Sequence, residues 1–299
     1  MKRYAFLICV VLVLGSWIGC SRDTGVTPEQ NTTADQSPAF AVNPEAVANE
    51  LAVRYDWTDT KDIDVPDRLD AGGLILSCDR EVVTGDIVHY SFEVQIGFGA
   101  YDKIRLHRVV RESRMNKPIR TKTSVFLLHG DGVGFTKFMF GADSPNTPDD
   151  QAIAVFLAAN GVDVWGMDQN WVLVPQATTD FTFMADWGMQ NQVDNLEIGL
   201  EVARFARLAS GNGWRKVFLL GYSSGVFTTF AYLNQESQLP PGHRHVSGYI
   251  PVDAPYKTDF APTQGLTCAL AVNFQDLIDA GSYADTGGLL FQTLGMLGA

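Results

Sequence analysis

The sequence predicts an α/β fold in which a mostly parallel β-sheet has an antiparallel start and carries helices on both faces. Two observations predict this architecture. Residues 87–94 and 104–110 alternate polar and apolar side chains on either side of a turn-forming stretch, which indicates an antiparallel strand pair. From Ser124 onward, short continuous apolar runs alternate with helix-like segments, which is typical of parallel strands that helices bury on both faces.

The individual elements follow from the same two signals. Strand character begins near Leu74, and the apolar run over 124–128 ends in glycine-rich sequence, as a buried strand should. Gly161 and Gly211 follow helix-like segments at positions where helices commonly stop. After the first buried strand, the predicted order is a helix over 151–160, a strand over 162–166, a helix over 193–209, a strand over 217–220, a helix over 225–234 and a strand over 246–252.

The charge balance excludes one broad class of function. The chain has 22 Lys and Arg residues against 34 Asp and Glu residues, which gives a formal net charge of -12. Basic residues interleaved with aromatic residues occur nowhere in the sequence, so we predict no nucleic-acid partner. We also expect no cofactor and no metal site.

The first twenty residues have the features of an export signal rather than of a folded element. Lys2 and Arg3 precede an apolar run over 5–14, and small residues and Cys20 follow it. Residues 17–20 resemble the lipobox of bacterial lipoproteins, so Cys20 is the expected site of lipid attachment. An ordinary signal peptide and a short uncleaved anchor are the alternatives. We expect an exported protein of the cell envelope that is either lipid-anchored to a membrane or secreted.

The sequence Gly221-Tyr222-Ser223-Ser224-Gly225 lies between a predicted buried strand and a predicted helix. In this G-x-S-x-G setting the serine occupies a strained, sharp turn, and the flanking glycines let strand and helix approach without a Cβ collision. The turn presents the hydroxyl at the carboxyl end of the sheet, where amide N–H groups can face a developing oxyanion. We therefore predict that Ser223 is a nucleophile, with Tyr222 and Ser224 beside the bound substrate.

A second glycine-rich stretch, His129-Gly130-Asp131-Gly132, follows the first buried run. Such a turn can aim a backbone N–H at the same oxyanion as the N–H that follows the nucleophile. We assign the two oxyanion donors to the N–H groups of Asp131 and Ser224, and a plain surface turn is the alternative. His129 is expected to brace this loop rather than to act as the catalytic base.

These two motifs, together with Gly166-Met167-Asp168 at the end of an intervening strand, resemble the α/β-hydrolase superfamily over roughly residues 83–252. The resemblance implies acyl-enzyme chemistry at Ser223, an antiparallel start to the sheet and a cap that is often inserted after the sixth strand. It does not distinguish an esterase or lipase from a peptidase or amidase. A small carboxylic ester is the expected substrate. The apolar, aromatic-bearing sequence after residue 255 would suit an apolar acyl or alcohol group, and core packing of these residues is the alternative.

With this resemblance, the chain divides into four parts. We expect a signal peptide over 1–19, a polar tether over 20–45, an α/β-hydrolase core over 46–254 and the start of a helical cap over 255–299. Outside the signal and the lipid site, the cysteines are Cys78 and Cys268. Export would permit a disulfide between them, and two free thiols are the alternative.

The catalytic acid is less sharply predicted than the nucleophile. Asp253 ends the sixth strand implied by the resemblance, and some members of the superfamily carry the acid there. A structural aspartate that leads into the cap is the alternative interpretation. The weaker candidates in the expected cap are Asp259, Asp276, Asp279 and Asp285.

The catalytic histidine follows the acid in this superfamily, and none of the five histidines of the chain follows Asp253. His89 and His107 lie in the predicted antiparallel pair. His243 and His245 lie in a loop and are expected to be solvated, and a surface metal pair or a displaced base is the alternative.

We therefore expect an incomplete chain that is inactive or nearly so by itself, because a serine hydroxyl without a base is a weak nucleophile. An incomplete chain also predicts an exposed apolar cap face and an unprotected sheet edge. The competing hypothesis is a non-catalytic cell-surface lipoprotein that uses a hydrolase scaffold for binding. A structural lipoprotein of the cell envelope would leave both glycine motifs unexplained.

Overall fold

The computed structural model describes residues 42–57, 74–139, 148–254 and 260–283. The expected signal peptide, Cys20 and all but the last four residues of the expected tether lie outside these ranges. Asp259, Asp285 and residues 284–299 of the expected cap also lie outside them. Within the described ranges, no helix is both long enough and apolar enough to cross a bilayer.

Eight strands form one open, mixed sheet in the order β1-β2-β3-β6-β5-β7-β8, with β4 paired to β3. Strands β6, β5, β7 and β8 run parallel, whereas β1, β2, β3 and β6 pair antiparallel. This arrangement confirms the predicted α/β fold class, with a mostly parallel sheet that has an antiparallel start. The strands are β1 Ile75–Thr84, β2 Ile87–Gln95, β3 Lys103–Arg114, β4 Lys117–Pro118, β5 Thr123–Leu128, β6 Val162–Asp168, β7 Val217–Tyr222 and β8 Val246–Val252.

The predicted antiparallel pair is β2 and β3, and its register places Val94 opposite Ile104 and Val88 opposite Val110. The alternation in β2 puts Val88, Tyr90, Phe92 and Val94 into one core cluster, because successive side chains point to opposite faces. In contrast, β5 is buried from Ser124 to Leu128, as its continuous apolar sequence predicts for a strand covered on both faces.

Helices cover both faces of the sheet. Side chains of α1, α3 and α4 enter one core cluster, whereas α2 and the 3-10 turn Phe135–Phe138 enter the cluster on the other face. The four parallel strands therefore form a layer that is covered by helices on both faces. The helices are α1 Pro44–Arg54, α2 Ile153–Ala159, α3 Met189–Ala209, α4 Gly225–Ser237 and α5 Ala261–Asp279.

Helix α1 was not predicted from the sequence. Asn43 caps it by accepting a hydrogen bond from the Ala46 amide at 3.1 Å, and Pro44 occupies the first turn. Val47 and Leu51 are fully buried against the core. The Asn-Pro start and the apolar spacing were readable signals, but the polar residues before them favoured assigning a tether.

The edge of the sheet at β8 carries exposed apolar side chains. Ile250 is 42% exposed and Val252 is 37% exposed. At the other edge, β1 contains Cys78, which is a half-buried free thiol. The disulfide between Cys78 and Cys268 that the sequence left open is therefore not formed.

A buried ion cluster joins the start of β6 to β3 and α3. Arg108 donates to both carboxylate oxygens of Asp163, at 2.9 and 2.8 Å, and Arg207 donates to Asp163 Oδ2 at 2.6 Å. The Arg108 guanidinium also lies 4.6 Å from the ring centre of Trp57 and 5.0 Å from that of Trp165. Burial opposes ionisation of Asp163, but the two guanidinium groups outweigh it and lower the pKa of the carboxyl.

Replacement of Asp163 by Asn should therefore destabilise the protein strongly. The change leaves two buried guanidinium groups without their carboxylate, and losing one partner of a buried charge cluster costs about 3–5 kcal/mol. Urea denaturation followed by circular dichroism would measure the loss. The matched control is Asp86→Asn, which removes an exposed pair with Arg111 and should change the midpoint little. Equal midpoints for the two variants would contradict this role of Asp163.

Candidate active site

Ser223 lies in a left-handed turn between β7 and α4, with a φ of 53°. An L-residue adopts this conformation only at a cost, which the surroundings of the turn must maintain. The Ser223 amide donates to Val252 O at 2.9 Å, and the Val226 amide donates to Ser223 O at 3.0 Å. The serine side chain therefore projects from a backbone that is fixed on both sides.

Two glycines permit this turn. A methyl group at Gly221 would lie 2.5 Å from Thr229 Oγ1, and one at Gly225 would overlap the carbonyl oxygen of His129. Strand β7 and helix α4 consequently approach each other more closely than alanine would allow at either position. This is the geometric reason for the glycines that the G-x-S-x-G pattern predicts.

The glycine-rich turn after β5 lies directly against the nucleophile candidate. A methyl group at Gly130 would lie 2.6 Å from Ser223 Cβ and 3.1 Å from Ser223 Oγ. The turn continues through Asp131, whose side chain is exposed, and through Gly132, whose φ is 70°. The structure thus brings together the two stretches that the sequence predicted to share an oxyanion.

The amide of Ser224 has no hydrogen-bond acceptor among the described residues. It follows Ser223 at the start of α4. Helix starts leave such N–H groups unsatisfied, and they favour negative charge nearby. Ser224 and Tyr222 both remain partly exposed beside Ser223.

Both ring nitrogens of His129 form hydrogen bonds to backbone groups. Its Nδ1 donates to Gly130 O at 2.8 Å, and its Nε2 accepts from the Gln169 amide at 3.2 Å, an assignment based on these two partners. The ring also meets Trp171 edge-on at 5.2 Å between ring centres. Burial lowers the pKa of His129, which keeps the ring neutral. Both nitrogens are therefore occupied away from Ser223.

The other four histidines also lie apart from Ser223. His89 and His107 contact each other between β2 and β3. His243 is exposed in the 3-10 turn Pro241–His243, which precedes β8 at the amino end of the parallel strands. All five histidines of the chain belong to the described residues, and none of them hydrogen-bonds Ser223 within those residues.

The expectation that His245 is solvated is wrong. His245 is 6% exposed, and its Nδ1 accepts from Arg204 at 2.8 Å. Burial, reinforced by the charge of Arg204, lowers the pKa of His245 to about 4. Glu236, at the end of α4, accepts hydrogen bonds from the backbone amides of His245 and Val246. This long-range cap draws the residue into the core, and it has no local sequence signal.

Asp253 follows β8 directly and has a φ of 59°. It comes after Val252, whose carbonyl holds the Ser223 amide. Its side chain is exposed and has no hydrogen-bond partner among the described residues. Of the weaker acid candidates, Asp279 accepts from Gln275 within α5, at 2.7 Å from Oδ1 to Nε2.

Asp168, at the carboxyl end of β6, lies in a buried polar environment that the sequence did not predict. This carboxylate is 2% exposed, accepts from the Phe135 amide at 2.6 Å and lies 3.2 Å from His107 Nε2. Burial opposes its ionisation, but the hydrogen bond from His107 contributes to lowering the pKa of Asp168 to about 2. The available signal was the position of Asp168 at the end of a buried strand.

An open hollow of about 520 Å³ lies against the loop that follows β6. The rings of Tyr101 and Phe183 meet there with their centres 4.6 Å apart. The residues that line the hollow are Tyr101, Pro175, Ala177, Thr178, Thr179, Asp180 and Phe183.

Within the part of the chain that the structure describes, no group of three or more His, Cys, Asp or Glu side chains is arranged to hold a metal ion.

No protein-family model and no curated protein matches this chain. Among solved structures, a protein from Sulfolobus solfataricus proposed to be a lipase is 21% identical with a TM-score of 0.47, and the match covers 62% of this chain and 52% of that one. The bacterial brefeldin A esterase, a homologue of human hormone-sensitive lipase, is 13% identical with a TM-score of 0.39, over 94% and 73% of the two chains. The cell-wall-degrading esterase LipA from Xanthomonas oryzae is 14% identical with a TM-score of 0.39, over 62% and 51%. The match to the first of these thus spans about half of that protein's length.

The strain at Ser223 can be measured by comparing two small replacements. Glycine tolerates a positive φ without a Cβ collision, so Ser223→Gly should be more stable than Ser223→Ala by about 1 kcal/mol. The control is Asn234, an exposed position inside α4, where the order should reverse because glycine is the poorer helix former. Thermal unfolding of the four variants gives both differences. If alanine is more stable than glycine at both positions, Ser223 is not held in the left-handed turn.

Proposed function

We propose that this chain is a serine hydrolase of the α/β-hydrolase type, which acts on small carboxylic esters through an acyl-enzyme at Ser223. One observation carries the proposal. Ser223 lies in a left-handed turn between a buried strand and a helix, with the glycine-rich turn at Gly130 in contact with its side chain. A nucleophile beside a preorganised set of amide donors is the arrangement that acyl transfer requires.

The reaction would proceed in two halves. Ser223 Oγ attacks the ester carbonyl carbon, and the carbonyl oxygen becomes an oxyanion that accepts hydrogen bonds from the amides of Asp131 and Ser224. Collapse of this intermediate expels the alcohol and leaves an acyl group on Ser223, which water then removes as the carboxylic acid. Each oxyanion donor of this kind is worth about 2.7–4 kcal/mol of transition-state stabilisation.

The proton of Ser223 Oγ must pass to an acceptor and then to the departing alcohol. Since no histidine hydrogen-bonds Ser223 within the described residues, water would carry this proton. His129 has both nitrogens occupied, and His245 is buried against Arg204. We therefore propose that the chain by itself turns over esters slowly. Sites of this type that lack their base retain roughly 10³–10⁴-fold catalysis over water through binding and the oxyanion donors.

Added imidazole should increase this turnover by supplying the missing base in solution. We expect hydrolysis of p-nitrophenyl butyrate to be slow with the wild-type protein and to rise with imidazole concentration. The Ser223→Ala variant should show only the hydrolysis that imidazole causes in solution, because it has no nucleophile to activate. A stopped-flow assay of nitrophenolate release with both proteins measures the difference.

The Ser223→Ala variant is also the control for folding, and its far-ultraviolet circular dichroism should match that of the wild type. Fast turnover without imidazole that disappears in Ser223→Ala would contradict the proposed lack of a base. Identical rates for the two proteins at every imidazole concentration would contradict the enzyme itself.

The second candidate function is a non-catalytic surface protein that binds ligands on a hydrolase scaffold. The specific observation in its favour is that no histidine of the chain hydrogen-bonds Ser223 within the described residues. The binding function predicts saturable binding of an ester that is unchanged in Ser223→Ala and shows no imidazole response. The assay above therefore separates the two functions.

We also propose that the protein is exported and reaches a membrane only through lipid attached at Cys20. Lys2, Arg3 and the apolar run before Cys20 support this proposal. Cells grown with labelled palmitate should yield labelled wild-type protein and unlabelled Cys20→Ser protein, and the variant should move to the soluble fraction. Cys78→Ser, which changes a free thiol in β1, is the matched control and should remain labelled. Labelled Cys20→Ser protein would rule out attachment at Cys20.

A further inference from the structure

Asp168 connects the end of β6 to the turn that lies beside Ser223. Its Oδ1 accepts a hydrogen bond from the Phe135 amide at 2.6 Å, and Gly134 passes so close that an added methyl group would lie 2.7 Å from the same oxygen. Gly134 and Phe135 end the loop that begins at His129 and includes Asp131. Because His129 is bound to the Gln169 amide, both ends of this loop are attached to residues directly at the end of β6.

A row of two histidines supports Asp168 from the other side. His107 Nε2 lies 3.2 Å from Asp168 Oδ2, and His107 Nδ1 lies 2.9 Å from His89 Nε2. An ionised Asp168 accepts at Oδ2, so His107 Nε2 is the donor of this hydrogen bond. Burial, with a contribution from His107, lowers the pKa of His89 to about 3, which leaves His89 neutral.

The same histidines also hold the Phe135 side chain. The rings of His107 and Phe135 stack with centres 4.3 Å apart and planes 6° apart. Gly166 in β6 leaves room for the Phe135 ring, since a methyl group there would overlap ring carbons. Phe138 contacts both Phe135 and Tyr222 edge-on, with ring centres 5.8 and 6.4 Å apart.

We propose that His107 is a positioning residue for the oxyanion loop, which comprises residues 129–135. The hydrogen bond from His107 orients the Asp168 carboxylate. This carboxylate in turn holds the Phe135 amide and the turn that carries the Asp131 N–H. This inference rests on the proposed function, because the loop matters to chemistry only if Ser223 forms an acyl-enzyme. His107 acts through Asp168 and does not touch the reacting atoms.

The charges around Asp168 explain why the histidine is needed. Among the described residues, Arg105 is the other basic side chain paired with this carboxylate. Its Nη1 lies 3.7 Å from Oδ2, and its side chain is 37% exposed and also pairs with Glu93. Without His107 as a donor, the buried carboxylate would turn toward Arg105 to keep a charged partner. The Phe135 amide would then lose its acceptor, and the loop would shift relative to Ser223.

Two replacements of His107 separate this hydrogen bond from simple packing. Glutamine can place its amide Nε2 where the imidazole Nε2 lies, whereas asparagine is one methylene shorter and cannot reach Asp168 from the same backbone position. Both variants lose the stacking on Phe135, so the difference between them reports the hydrogen bond. Asp168→Asn removes the acceptor charge and provides a second, independent perturbation.

Amide hydrogen exchange of the full-length protein, read by mass spectrometry over residues 129–138, tests the positioning itself. In His107→Asn and Asp168→Asn, the amides of this segment should exchange roughly tenfold faster than in the wild type. The reason is that a hydrogen bond to a fixed acceptor rarely breaks. His107→Gln should restore most of the protection. The segment over 217–222 in β7 controls for general unfolding and should be unchanged in all three variants.

The effect of His107 on catalysis is measured in the ester assay with added imidazole. His107→Asn should lower kcat with little change in KM, by up to about 10²-fold for an oxyanion donor displaced by about 1 Å, and His107→Gln should recover most of the loss. Unchanged exchange over 129–138 in His107→Asn would overturn the proposal, as would equal losses in the glutamine and asparagine variants. A wild-type protein with the expected exchange but no Ser223-dependent turnover would overturn the proposed function and leave the positioning of the loop supported.

Discussion

The left-handed backbone of Ser223 is the constraint on which the rest of the site depends. A non-glycine residue in this region costs about 1–3 kcal/mol and persists only where its surroundings enforce it. Here β8 enforces it through Val252 O, and the close approach of α4 to β7 requires glycine at 221 and 225. The same turn leaves the Ser224 amide without an acceptor among the described residues and sets the Ser223 side chain against Gly130. The backbone strain at Ser223, the free Ser224 amide and the contact between Ser223 and Gly130 therefore all result from this one turn.

Strand β6 carries a buried carboxylate near each of its two ends, and both carboxylates contact its antiparallel neighbour β3. Asp163 in β6 binds Arg108 in β3 and Arg207 in α3, which locks the helix onto the sheet. Asp168, at the other end of β6, faces His107, the residue directly before Arg108. Consecutive strand residues point to opposite faces. The same pair of strands therefore binds α3 on one face and the loop beside Ser223 on the other. Each buried carboxylate has polar partners, as its desolvation demands.

Four of the five histidines form hydrogen bonds that hold other parts of the described structure in place. His129 braces the loop, His89 and His107 form a row that ends at Asp168, and His245 packs against Arg204. Each of these rings is occupied in holding backbone or charge in place. None of these four rings hydrogen-bonds Ser223 among the described residues, which supports the proposal that this chain turns over esters slowly.

The sequence by itself determined the features that local patterns encode: the antiparallel pair β2–β3, the buried strands β5 and β7, and the turn at Ser223 with its glycines. Periodicity and glycine placement are properties of neighbouring residues, so they are readable without coordinates. Only the tertiary structure decided that His245 is buried and that His107, 61 positions before Asp168, faces its carboxylate. Those contacts join residues far apart in the chain, and no local pattern specifies which distant partners the folded sheet brings together.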